Sequence, residues 1–134
     1  MKNLLKIFAA ITLVWATNSF AHNVNKQCDV AKLGIDKVVG YAKVHNKEAK
    51  AKGVEFRRLN VNNTDLIKAV EDAVANGEKT VQPMHFKGKD KSKTKLDVNY
   101  AAQRACHFAI TSLTQAKEAQ KTYKLSIPGD GYKF

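Results

Sequence analysis

The stretch LDVNYAAQRACHFAITSLTQAKEAQKTYKL, residues 96–125, decides the fold class of this chain. Its apolar and small residues recur at spacings of three and four, which is typical of a helix with one buried face. Alanine is abundant here and has the highest helix propensity of all residues. The segment therefore predicts a long helix over 96–125. Its inner stripe is predicted to contain Leu96, Tyr100, Gln103, Cys106, His107, Ile110, Leu113 and Thr114, and to be widened by Ala101, Ala105, Phe108 and Ala109.

Two further segments, 25–52 and 64–76, have the same helical spacing. Thr64 can cap the shorter helix, and Gly53 can end the longer one. The three segments predict an all-α fold, a small three-helix bundle. A four-helix bundle results instead if the first segment breaks near Gly53.

Residues 78–95, between the second and last helical segments, have no helical period. Lysines alternate there with glycine and small polar residues, and such a charge run is usually solvated. The pattern predicts an exposed basic loop. Its lysines are Lys87, Lys89, Lys91, Lys93 and Lys95.

The first 21 residues have the three parts of a secretory signal peptide. Lys2 and Lys6 give a positive start, an apolar core follows at 7–16, and Ser19 and Ala21 are the small residues before a cleavage point. A transmembrane helix needs about 20 apolar residues, and this core is about half that length. We therefore expect cleavage after Ala21 and a single domain of residues 22–134. The protein is expected to be periplasmic or secreted and not an integral membrane protein.

Cys28 and Cys106 are the two cysteines of the chain. In an oxidising compartment an even pair without C-x-x-C spacing indicates a structural disulfide. A bridge between them closes a long loop, which the chain-entropy model values at ~4 kcal/mol. It would tie the first predicted helix to the last.

The charge of the chain points to an anionic partner. There are 23 basic residues against 12 acidic ones, a formal net charge of +11. The predicted partner-binding residues are Arg57, Arg58, Lys87, Lys89, Lys91, Lys93 and Lys95. Export and the lack of a nucleic-acid-binding motif argue against nucleic acid, which leaves an acidic protein or an anionic component of the cell envelope. The preferred hypothesis is a non-enzymatic binding protein, similar to inhibitors or immunity proteins by analogy of fold alone.

A copper site is the alternative hypothesis. Cleavage after Ala21 makes His22 the first residue, with a free amine and an imidazole as nitrogen ligands. Met84 and His85 are the first candidates for the remaining ligands, since imidazole suits copper and a thioether suits its reduced ion. His45 and His107 are further candidates.

A third hypothesis is a lipid or heme pocket between the helices, with His107 as an axial ligand. It is weaker, because no C-x-x-C-H attachment motif is present. Enzyme motifs are also missing from the sequence: there is no G-x-S-x-G, no phosphate-binding glycine loop and no H-E-x-x-H. The sequence thus favours binding over catalysis.

Overall fold

The computed structural model describes residues 24–86, 88 and 90–126, with the side chains of 124–126 excepted. These residues are mostly helical, as predicted, and the proposed signal peptide at 1–21 lies outside them. After a helical stretch at 24–27, the helices are α1 (Val30–Leu33), α2 (Ile35–Ala51), α3 (Asn63–Ala75) and α4 (Val98–Ser126). None of the helices in this described part is long and apolar enough to cross a membrane.

Two short antiparallel strand pairs accompany the helices, and the sequence did not predict them. Strand β1 (Arg57–Arg58) pairs with β2 (Val61–Asn62), so that Arg58 lies opposite Val61. Strand β3 (Thr80–Val81) pairs with β4 (Leu96–Asp97). Strands of two residues are too short to produce the alternating pattern by which strands are recognised.

The predicted first helix, 25–52, is interrupted before α2. The side chain of Asp29 accepts a hydrogen bond from the backbone N–H of Lys32 and thereby caps the short α1. Gly34 then adopts a φ of +81°, a conformation that glycine reaches at little cost. The chain therefore turns at Gly34, and α2 begins anew at Ile35. At its other end α2 stops at Ala51, close to the predicted boundary.

The predicted basic loop, 78–95, is partly organised as a hairpin-like excursion. β3 and β4 pair at its base, and Met84 forms a bridge with Lys91 further out. The backbone N–H of Ser92 donates to the carbonyl of Pro83, and both residues are buried. The excursion is thus packed against the rest of the fold through Pro83 and Ser92, while Lys93 and Lys95 are exposed.

The core is built mainly from small side chains. The buried alanines where α2 and α4 meet are Ala42, Ala49, Ala101, Ala102, Ala105 and Ala109. α3 covers them with Leu66, Ile67 and Val70. The largest fully buried side chains among the described residues are Val38, Val70, Asn63, Cys28 and Cys106. Because apolar burial stabilises at roughly 25 cal/mol per Å², such a core contributes less than one rich in Leu and Phe.

The predicted disulfide between Cys28 and Cys106 is confirmed. Their Cα atoms are 5.6 Å apart across a sequence separation of 78, and both residues are fully buried. The bridge fastens the segment before α1 to the first half of α4. It therefore supplements a core of limited size.

Candidate functional site

The hairpin β1–β2 and α4 border a pocket of ≈ 230 Å³. The start of α3 and the segment 83–96 form its other walls. We call it the arginine pocket, after its two charged side chains. Its lining includes Phe56, Arg58, Leu59, Leu66, Arg104 and Phe108, with Ser92 and Thr94 on the side of the basic excursion.

Two aromatic rings form an apolar wall of the arginine pocket. The rings of Phe56 and Phe108 are stacked, with centroids 3.8 Å apart and planes 20° from parallel. Phe56 lies just before β1, and Phe108 lies on α4. Leu66 of α3 adds a nearly buried aliphatic surface. The stack therefore joins the hairpin to α4 and leaves a surface suited to an apolar group.

Arg58 and Arg104 give the arginine pocket its charge. No Asp or Glu lines it, and neither arginine pairs with a carboxylate of the described residues. The Arg104 guanidinium lies 5.0 Å from the centre of the Phe108 ring, and its Nη1 donates a 3.3 Å hydrogen bond to the hydroxyl of Tyr100. Arg104 is therefore held in place with its charge uncompensated.

The turn of the β1–β2 hairpin is strained at an exposed leucine. Leu59 and Asn60 have φ values of 50° and 62°, the signs required by a two-residue type I′ turn. Such turns favour Asn and Gly, whereas leucine in this left-handed region costs about 1–2 kcal/mol. Leu59 lines the arginine pocket and is nevertheless 77% exposed. An apolar side chain is thus displayed at an energetic cost beside two arginines.

A polar network fixes the start of α3 under the hairpin. Asn63 is 1% exposed, and its Nδ2 donates to Asn46 Oδ1 at 3.0 Å and to the carbonyl of Ala105 at 2.9 Å. Its backbone N–H donates to the carbonyl of Phe56 at 3.0 Å. Asn63 therefore ties together α2, α3, α4 and the segment just before β1 through its side chain and its backbone N–H.

Glu55 extends this network. Its Oε1 accepts hydrogen bonds from the N–H of Thr64 at 2.8 Å, from Asn46 Nδ2 at 3.1 Å and from the hydroxyl of Thr64. Burial opposes ionisation of Glu55, but these hydrogen bonds outweigh burial and hold its pKa below the ordinary value. Burial and the nearby Glu55 charge raise the pKa of Asp65. The network fixes the segment before the hairpin against the start of α3, and its member Asn63 also lines the arginine pocket.

Arg57, the neighbour of Arg58 and a predicted partner-binding residue, contacts an aromatic ring of the basic excursion. Its guanidinium lies 4.9 Å from the centre of the Phe86 ring, a cation–π contact. The N–H of Phe86 also donates to the carbonyl of Asn60 at 2.8 Å. Arg57 thus fastens the basic excursion to the hairpin, while Arg58 faces the arginine pocket.

The predicted lysine surface is divided by the fold. Lys91 lines a second cavity together with Met84 and several acidic residues, among them Asp65 and Asp72. Lys93 and Lys95 are exposed beside the arginine pocket without lining it. Lys87 and Lys89 lie outside the described residues. The structure therefore brings Arg58 together with Arg104, which the sequence had not indicated, and leaves the role of the lysines a prediction.

A second basic surface lies between α2 and α3, and we call it the lysine groove. It is lined by Lys43, Lys47, Lys50 and Lys68 around Val44, which is 67% exposed. Lys43 pairs with Glu71 at 2.7 Å, and Asp72 also lines the groove. Its positive charge is thus partly neutralised by its own wall, unlike that of the arginine pocket.

The copper hypothesis stays a prediction. His22 lies outside the described residues. Met84 is partly exposed in its bridge with Lys91, and His85 is half-buried, with its N–H donating to the carbonyl of Asp90. No group of three or more His, Cys, Asp or Glu residues in the described part of the chain could hold a metal ion.

His107 is half-buried on α4. Its Nε2 is buried without a hydrogen-bond partner, and burial lowers the pKa of the ring. The hypothesis of a heme or lipid pocket at His107 therefore stays a prediction.

Arg104, Phe56, Leu59 and Phe108 were not identified from the sequence as functional residues. Two chain segments far apart in sequence, 56–59 and 104–108, supply them, so no local motif could reveal the group. The available signal was the apolar Leu59 directly after Arg57 and Arg58. Comparisons with protein-family models, curated proteins and solved structures give no match for this chain.

Proposed function

We propose that the chain is an exported, non-enzymatic binding protein that engages an acidic partner protein through the arginine pocket. The single observation that carries the proposal is a pair of arginines, Arg58 and Arg104, that line the pocket beside its apolar wall and pair with no carboxylate among the described residues. Charge complementarity across an interface speeds association and selects the partner.

The residue types around the pocket support a protein partner. Arginine and aromatic residues are enriched at protein interfaces, whereas lysine is depleted there. Residues that dominate binding energy are most often Trp, Tyr and Arg in well-packed pockets. The arginine pocket combines Arg58 and Arg104 with Phe56 and Phe108, while the lysine groove offers mainly lysines.

The exposed, strained Leu59 supports the same location. Strained backbone persists where the surrounding structure enforces it, and it concentrates at functional sites. Here the pairing of β1 with β2 and the Phe86 hydrogen bond to Asn60 enforce the turn. The disulfide accords with export into an oxidising compartment. An inhibitor or immunity-type role would follow if the bound partner is itself an exported enzyme or toxin.

Charge reversal at the two arginines tests the proposal. The partner is captured from the cell envelope fraction with the oxidised chain, identified by mass spectrometry, purified and titrated against each variant. We expect the double variant Arg58→Glu/Arg104→Glu to bind about tenfold or more weakly, and wild-type affinity to fall with added salt.

The matched control is Lys37→Glu/Lys117→Glu, which changes the net charge by the same amount at exposed positions that do not line the pocket. Its affinity should stay within about twofold of wild type, because exposed charges further away than a Debye length of ~8 Å are largely screened. Circular dichroism checks that both double variants fold. Equal loss in the two, or no loss in either, contradicts the proposal.

A further inference from the structure

Resting on this proposed function, we infer that the partner inserts one aromatic side chain, flanked by carboxylates, into the arginine pocket. Three features of the pocket support this binding mode: its volume, the chemistry of its apolar wall and the position of its two charges.

The volume of the arginine pocket favours a single side chain as its occupant over a free small molecule. Pockets for drug-sized ligands and cofactors hold about 300–1,000 Å³, and an apolar cavity of about 150 Å³ holds one benzene. The arginine pocket, at ≈ 230 Å³, lies between these values. It accommodates an aromatic ring with its methylene, but it is too small for a long acyl chain.

The wall selects an aromatic ring over an aliphatic group. The stacked rings of Phe56 and Phe108 offer an edge and a face to a third ring. Aromatic pairs at 4.5–7 Å contribute roughly 0.5–1.5 kcal/mol beyond the burial of their area. Leu59 and Leu66 complete the apolar contact on the sides of the hairpin and of α3.

The two arginines place acidic residues next to that ring. Arg58 reaches the pocket from β1 and Arg104 reaches it from α4, so they belong to different walls. Guanidinium groups bind carboxylates through paired hydrogen bonds. Carboxylates before and after the aromatic residue of the partner therefore meet one arginine each.

Model peptides test this binding mode on the full oxidised chain by isothermal titration calorimetry. The probes are acetyl-Asp-Asp-Phe-Asp-Asp-amide, its Ala analogue with Phe replaced, and laurate. We expect the Phe peptide to bind about tenfold tighter than the Ala peptide, because only the first buries a ring. Laurate should not compete with it.

Filling the pocket provides a second test. Thr94 lines the pocket and is exposed. In the Thr94→Phe variant we expect the new side chain to occupy the pocket without altering the core. This variant should bind the Phe and Ala peptides equally, with the weaker affinity that wild type has for the Ala peptide. Thr122→Phe, an exposed position on α4 far along the chain from Phe108, is the matched control and should keep the preference for Phe.

The outcomes separate this inference from the function on which it rests. Equal affinity of wild type for the Phe and Ala peptides, with loss of both in Arg58→Glu/Arg104→Glu, overturns the aromatic anchor and leaves the proposed function standing. No binding of either peptide overturns the acidic partner as well. Competition by laurate overturns the anchor in favour of a lipid ligand.

Discussion

At the scale of single residues, the choice of Leu59 is the clearest departure from what the local structure prefers. A type I′ turn is most stable with Asn or Gly at this place, and the chain has leucine with a φ of 50°. The neighbouring Asn60 conforms to the rule. Leu59 costs stability and lies exposed beside two arginines that pair with no carboxylate in the described part of the chain, which supports the proposed contact with a partner.

Replacing Leu59 by Asn should therefore make the protein more stable and its binding weaker. Asn tolerates the left-handed region, so we expect the free energy of unfolding to rise by about 0.5–1 kcal/mol in urea denaturation. Affinity for the captured partner should fall. Val44→Asn alters an equally exposed apolar residue in a helix and should change neither property by much. A loss of stability in Leu59→Asn contradicts the assignment of strain.

His107 makes the stability of the protein depend on pH. Burial lowers its pKa in the folded chain, so between that value and the ordinary pKa of about 6.5 only the unfolded chain takes up the proton. Uptake by the unfolded chain lowers the free energy of unfolding as the pH falls below about 6.5. The loss is complete once the pH is below the folded pKa.

Urea denaturation of wild type and His107→Gln at about pH 7.5 and about pH 5.5 measures this contribution. We expect wild type to lose more stability between the two pH values than the variant does. Glu55 and Asp65 titrate in both proteins, so their contributions cancel in the comparison. Equal losses would show that His107 is not held neutral by the fold.

At the scale of elements, α3 depends on two adjacent asparagines with different functions. Asn62 is its N-cap, and its Oδ1 accepts a 2.8 Å hydrogen bond from the N–H of Asp65. Asn63 is inside the core and joins α2 to α4 through its Nδ2. Asn62 thus caps one end of α3. Asn63 joins three helices and lines the arginine pocket.

Alanine substitution should separate these two asparagines. Asn63→Ala leaves Asn46 Oδ1 and the carbonyl of Ala105 without this donor, and we expect a loss of about 2–3 kcal/mol of unfolding free energy. Asn62→Ala removes only a cap, worth about 1 kcal/mol. Chemical denaturation of both variants measures the difference. An equal loss would mean that the buried network does not stabilise the hairpin.

Helix positions were largely predictable from the sequence, and the reasons are local. α3 begins at Asn63 and ends at Ala75, close to the predicted 64–76, because Leu66, Ile67 and Val70 follow the helical period without interruption. The break before α2 was missed because the effect of Gly34 depends on its φ, whereas the sequence shows only a residue that weakens helices.

The face of α4 was predicted less well than its length. Tyr100 and Gln103 were assigned to the inner stripe, yet Tyr100 is 52% exposed and Gln103 is exposed too. The buried stripe contains Cys106 and Ile110, as predicted, together with Ala101 and Ala105, which were predicted to widen it. The helix face that is buried differs in part from the predicted one, and Arg104 therefore lines the arginine pocket. The sequence did not reveal the site for this reason.

At the scale of the whole molecule, a small-residue core is supplemented by one buried covalent bond. The chain-entropy model assigns the Cys28–Cys106 loop about 4 kcal/mol, a large share of the 5–15 kcal/mol typical of a folded domain. Because both cysteines are fully buried, a reductant reaches them only when the structure opens.

Reduction should therefore require unfolding. We expect dithiothreitol alone to leave the intact mass unchanged over a period in which dithiothreitol with urea adds two protons. Cys28→Ala/Cys106→Ala should lose about 4 kcal/mol of stability relative to the oxidised chain. Rapid reduction without urea would mean that the segment before α1 detaches from α4 readily.

We propose that binding takes place at the arginine pocket and not at the lysine groove. Amide chemical shifts of the labelled, oxidised chain, recorded while acetyl-Asp-Asp-Phe-Asp-Asp-amide is added, test this directly. We expect the largest changes at 56–66, 92–96 and 104–108, which surround Arg58 and Arg104. Changes confined to 43–50 and 67–72 around the lysine groove, or none at all, would contradict it.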